Sequence, residues 1–138
     1  MFSNIKRVDI EFHSKCNRKC DWCPNKFLDR ISDDKFLDLN IYKQLLQDLH
    51  DNGLGASAEK RSKSFGCAIS FLGYQEPFLA IDKLNEYLKI AKEIFYDRNI
   101  KYLIHSNGDF ITPENLSSLT LNELDIMDYD CKGQEYWK

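Results

Sequence analysis

The run CAISFL at residues 67 to 72 is continuously apolar, too short for a helix, and of the kind found in a strand covered on both faces. It constrains the fold more than any other stretch, because it needs parallel neighbours on either side and helices to cover it. The surrounding sequence supplies both. IKRVDIEFH, 5 to 13, alternates with Val8, Ile10 and Phe12 on one side, and IKYLIHS, 100 to 106, and ELDIMDYD, 123 to 130, read as further strands.

Between the strands lie helical patterns. Asn40 is placed to cap a helix carrying Ile41, Tyr42, Leu45, Leu46 and Leu49 on one face, ended by His50 and Gly53. A second amphipathic helix spans about Ile81 to Tyr96, with Leu84, Leu88, Ala91 and Phe95 at helical spacing. Thr112 and Pro113 make a cap and first residue for a short helix through Leu119. The order βαβαβαβ predicts an α/β fold of parallel strands with right-handed crossovers. Residues 53 to 66 read as a polar loop of small residues.

In such a sheet, ligands gather at the carboxyl ends of the strands. Each end here carries something unusual: three cysteines after the first strand, GYQEP after the second, SNG after the third and DYD at the fourth. With 138 residues, 43% of them hydrophobic, the chain suits one ordinary domain. A net charge of -3 with mixed signs offers no basic stripe for nucleic acid. No apolar run reaches the length of a membrane span and no signal peptide is evident, which predicts a cytoplasmic protein. Five cysteines in a reducing compartment point to metal or redox chemistry rather than disulfides.

Cys16, Cys20 and Cys23 are close enough in sequence to bind one centre, and thiolates suit zinc or iron-sulfur clusters. Two readings stay open on spacing. His13 could complete a tetrahedral zinc site with the three cysteines, making an interaction module. Alternatively, three thiolates hold three irons of a four-iron cluster and leave the fourth open.

C-NRK-C-DW-C, with Trp22 before the last cysteine, resembles the CxxxCxxC motif of the radical S-adenosylmethionine superfamily. FLGYQEPFL resembles its GxGEP turn, with Gly73, Glu76 and Pro77 matching and Gln75 replacing a glycine. HSNGDF resembles its TNG-like segment, with Ser106 in the threonine place beside Asn107, and Asp130 falls where relatives put the aspartate of a Ser-x-Asp. The resemblance implies a [4Fe-4S] cluster on Cys16, Cys20 and Cys23 whose unique iron is chelated by S-adenosyl-L-methionine, with Trp22 beside the adenine. Carbonyls of the Gly73 to Pro77 turn, and the Glu76 side chain, would meet its ammonium. It further implies reductive cleavage to a 5′-deoxyadenosyl radical that abstracts hydrogen from substrate, with an electron donor such as flavodoxin or ferredoxin as partner.

Peptide modification is the preferred substrate class on analogy, with sugars and cofactors beside it and glycyl-radical activation the nearest enzymatic rival. Lys15, Arg18 and Lys19, with the neutral Asn17 among them, would put positive charge near an anionic cluster. The family's core is a (β/α) barrel with six βα units, so residues 1 to 138 correspond to a partial barrel of about four strands and three helices. The remainder is expected from a longer polypeptide or a partner. Cys67 reads as a core residue and Cys131 as a surface thiol.

Overall fold

A computed structural model describes residues 2–21, 23–57 and 67–120, together with the backbone of 126–129. Four strands, β1 (Arg7–Asp9), β2 (Ala68–Phe71), β3 (Lys101–Ser106) and β4 (Ile126–Tyr129), alternate with α1 (Leu39–Asp51), α2 (Ile81–Ile94) and α3 (Pro113–Ser118). The strands lie side by side in the order β1-β2-β3-β4, and every pair is parallel. Helices α1 and α2 pack into one core with β2 and β3. The described residues therefore form an open α/β sheet, without closure into a barrel.

Central β2 is buried along its whole length, as its apolar run requires. Ile69 and Phe71 of β2 and Tyr102 and Ile104 of β3 enter one core with Tyr42, Leu46 and Leu49 of α1 and Leu84, Tyr87, Leu88 and Ala91 of α2. Tyr42 and Tyr87 rings pack at 4.7 Å, and the Tyr42 hydroxyl donates to the Tyr87 carbonyl at 3.0 Å. Cys67 lies in this core with its thiol donating to the Ile5 carbonyl, as expected of a small apolar residue.

Three sequence expectations change in detail. The cap of α1 is Asp38, not Asn40: Asp38 Oδ1 accepts from Asn40 N at 2.8 Å and Ile41 N at 3.1 Å, so Asn40 is already helical. On the same helix Ile41 and Leu45 are exposed, because α2 covers only the stripe through Tyr42, Leu46 and Leu49. The first strand stops at Asp9 rather than His13. The reason is a side chain: Gln75 Oε1 accepts from Phe12 N and His13 N at 3.0 Å each, and its Nε2 donates to Ile10 O at 3.1 Å. One amide thus replaces the partner strand beyond Asp9 and frees the chain to turn into the cysteine loop. Among the described residues no helix is long and apolar enough to cross a membrane.

Candidate functional site

After β1 the chain runs through a long loop before α1, and this loop carries all three clustered thiols. The loop is tied to the turn after β2 by backbone, with Glu76 N donating to Lys15 O at 2.9 Å, and by Asn25 Nδ2 donating to Tyr74 O at 2.8 Å. Pro24 opens a 3-10 turn over Pro24–Lys26, which places Asn25 inward and buried. At Gly73 the backbone adopts φ +152°, and a Cβ built there would lie 3.0 to 3.1 Å from Glu11 side-chain atoms. The conformation favours glycine, and a side chain there would be tight against Glu11. Glu11 uses that approach to accept from Tyr74 N at 2.9 Å while pairing with Arg30 at 2.8 Å.

The turn after β3 is joined to the other two. Glu76 is 1% exposed. Its carboxylate accepts from Ser106 Oγ at 2.8 Å, Asn107 N at 2.7 Å and Phe78 N at 3.1 Å. Pro77 begins the 3-10 turn Pro77–Ala80 that Glu76 caps. Asn107 Nδ2 in turn donates to Asn17 Oδ1 at 2.8 Å, inside the cysteine loop.

These ties converge on a cavity of about 150 Å3 whose walls include Cys16, Cys20 and Cys23, the Gly73 to Gln75 turn, and Ser106 with Asn107. Residues from the carboxyl ends of β1, β2 and β3 meet there. Arg18, Asn25, Tyr74 and His105 also line it. Of these, Asn25 carried no sequence signal, because what brings it in is a contact with Tyr74 across 49 positions.

Cys16 is buried, and burial pushes its thiol above the usual range, while the Arg18 backbone N–H and the Asn25 amide hydrogen-bond its sulfur and act the other way. Burial also raises Cys20, against the pull of the Arg18 guanidinium. The donor set, three thiols on one cavity with no carboxylate in its wall, is chemically right for a soft metal centre. As placed, no three His, Cys, Asp or Glu side chains among the described residues are gathered into a metal-holding group.

His13 does not face the thiols. Its Nε2 is 2.8 Å from Asp34 Oδ1, its ring stacks on Phe36 at 4.3 Å, and it lines a separate depression with Ser14, Arg30 and Lys35. The tetrahedral His13, Cys16, Cys20, Cys23 arrangement is therefore not formed. The positive charge foreseen in the loop is also largely countered: Arg18 pairs with Asp109 and Lys15 lies 3.4 Å from Asp34. Glu76 meets backbone and Ser106 rather than the cavity, so it shapes the wall instead of forming it. Trp22, Asp130 and Cys131 lie outside the described residues.

The chain is 32% identical over 113 residues to the S-adenosyl-L-methionine-dependent 2-deoxy-scyllo-inosamine dehydrogenase of Niallia circulans. The match covers 82% of this chain and 39% of that enzyme, so the chain spans about two fifths of the relative's length. No family model matches the chain. No solved structure matches it.

Proposed function

We infer that this chain is distantly related to an enzyme that uses S-adenosyl-L-methionine, from its similarity to a dehydrogenase dependent on that cofactor. We propose, more specifically, that residues 1 to 138 carry the cluster-binding part of a radical S-adenosylmethionine enzyme core. The observation that supports this is convergence: a CxxxCxxC loop, a GxxEP turn and an SNG turn, each from a different strand end, line one cavity. A thiol module without such a cofactor has no use for the second and third loops.

In this reading Cys16, Cys20 and Cys23 would hold a [4Fe-4S] cluster. When bound, that cluster supplies the electron that cleaves S-adenosyl-L-methionine to a 5′-deoxyadenosyl radical. Gly73 lets the backbone of its turn come close to a cationic amine, and the Gly73 and Gln75 carbonyls would be its acceptors, the Tyr74 carbonyl already accepting from Asn25. Ser106 and Asn107 form the facing wall for the polar part of the nucleoside. Glu76 and Pro77 position that wall from behind, Glu76 by fixing Ser106 and Asn107 and Pro77 by starting the turn. Trp22 and Asp130 keep the adenine and ribose roles that their motif positions suggest. Fixing these groups together orients the sulfonium for transfer, which is the protein's share of the rate.

A reduced flavodoxin or ferredoxin is the electron donor in this reading. The relative's name favours a hydroxylated small molecule over a peptide as the oxidised substrate. It equally disfavours glycyl-radical activation.

Anaerobic reconstitution with iron and sulfide, followed by electron paramagnetic resonance with and without S-adenosyl-L-methionine, tests the assignment. A cluster signal that shifts on adding the cofactor, and that is lost in Cys16→Ala, Cys20→Ala and Cys23→Ala, is the expected result. A colourless protein that retains one zinc would overturn it.

A further inference from the structure

A long loop with little regular structure is costly to order, so specific ties must seat it. On one flank the cysteine loop is held by Cys16 N donating to Arg30 O at 2.9 Å and by the ties to the β2 turn already described. Its other flank, the Asn17 and Arg18 segment between the first two thiols, reaches instead to the turn after β3. Gly108, at φ +87°, reverses the chain there and presents Asp109. Asp109 Oδ2 accepts from Asn17 Nδ2 and from Arg18 Nε at 2.7 Å each, and Oδ1 accepts from Arg18 Nη2. Asn107 completes the junction, with Oδ1 accepting from Asp109 N at 3.0 Å.

We propose that Asp109 is a positioning residue that seats the cysteine loop on the β3 turn through Asn17 and Arg18, holding the thiols against the Ser106 and Asn107 wall for a sulfonium ligand. The ligand in this statement rests on the function proposed above; the seating rests on geometry. The fork between the Arg18 guanidinium and the carboxylate joins residues 91 positions apart, and its side chains are only 20% and 30% exposed. Charge-assisted bonds of this kind are the stronger ones, and a guanidinium fork fixes orientation as well as distance. Neither neighbouring lysine, Lys15 before Cys16 or Lys19 before Cys20, has that geometry available to it.

The test has two arms. In the metal-free chain, hydrogen exchange of the peptide spanning residues 16 to 23 reads the seating directly. Asp109→Ala is expected to speed it about tenfold, the effect of losing one strong charged hydrogen bond. Arg18→Gln should speed it similarly, and the double variant should add little beyond either single one. In reconstituted protein, Asp109→Ala should keep its iron content but bind S-adenosyl-L-methionine about tenfold more weakly and show a smaller resonance change on its addition.

Unchanged exchange in Asp109→Ala would overturn the seating. Faster exchange with unaltered affinity and resonance would reduce Asp109 to a structural tie and overturn its positioning role. A wild-type protein that takes up no cluster and binds no cofactor would overturn the proposed function and the ligand with it, while the exchange arm would still decide the seating by itself.

Discussion

Replacing Glu76 by glutamine probes whether the strand ends are held together as described. In the native chain one carboxylate oxygen accepts from Ser106 Oγ and Phe78 N, and the other from Asn107 N. An amide has one oxygen, so Glu76→Gln must turn its NH2 either toward the Asn107 N–H or toward Phe78 N–H. Losing one charge-assisted bond costs about 1.5–3 kcal/mol, and a donor facing a donor adds to it. A neutral amide escapes the cost of burying a charge, so we expect a net loss of about 1–3 kcal/mol. Glu76→Ala leaves both backbone N–H groups without their acceptor and opens a cavity, and should lose about 3–5 kcal/mol.

Urea unfolding followed by circular dichroism measures both, as a lower midpoint at unchanged slope. Burial holds the Glu76 carboxyl above the usual glutamate range, against the pull of its three donors. Between the ordinary value of about 4.3 and the raised folded value, the folded protein keeps a proton that the unfolded chain has released. The wild-type contribution therefore falls as pH rises through that window and stays low above it. Glu76→Gln lacks this slope, so the gap between the two proteins should narrow as pH increases. A glutamine variant with the wild-type midpoint at every pH would refute the proposed role of the carboxylate.

Gln75→Ala removes the acceptor of two backbone N–H groups and the donor to Ile10 O, and should cost about 2–4 kcal/mol by urea titration. Gly73→Ala forces a Cβ to 3.0 Å from Glu11 at a backbone angle that favours glycine; a loss of about 1–3 kcal/mol in thermal or urea unfolding is expected. The Arg18 guanidinium holds the Asp109 carboxyl below the usual aspartate range. Its contribution is present above the ordinary value of about 3.9 and is lost as pH falls through the lower folded one, so Asp109→Asn should flatten that part of an acid-unfolding curve.

The β-α alternation and the continuous apolar run of β2 were readable because burial on both faces leaves no polar position to alternate. The buried stripe of α2, through Leu84, Leu88 and Ala91, and the Thr112 cap of α3 were equally readable, since a 3.6-residue period and a cap three positions from its partner are local patterns. The end of β1 was not. It depends on Gln75, more than sixty positions away, putting a side-chain amide where a strand partner would have been.

The candidate site divides along the same line. Short spacing named Cys16, Cys20 and Cys23, resemblance to family motifs marked the Gly73 to Pro77 turn and Ser106 with Asn107, and the parallel order put their loops on one sheet edge. What each side chain does there depended on partners distant in the chain. His13 was turned away from the thiols by Asp34 and Phe36, Glu76 was committed to the turn after β3, Asn25 entered with no motif to announce it, and Asp109, within the HSNGDF segment, took its role from Asn17 and Arg18. A buried carboxylate or amide must find hydrogen-bond partners wherever packing puts them, and composition or spacing carries no record of which partners those are.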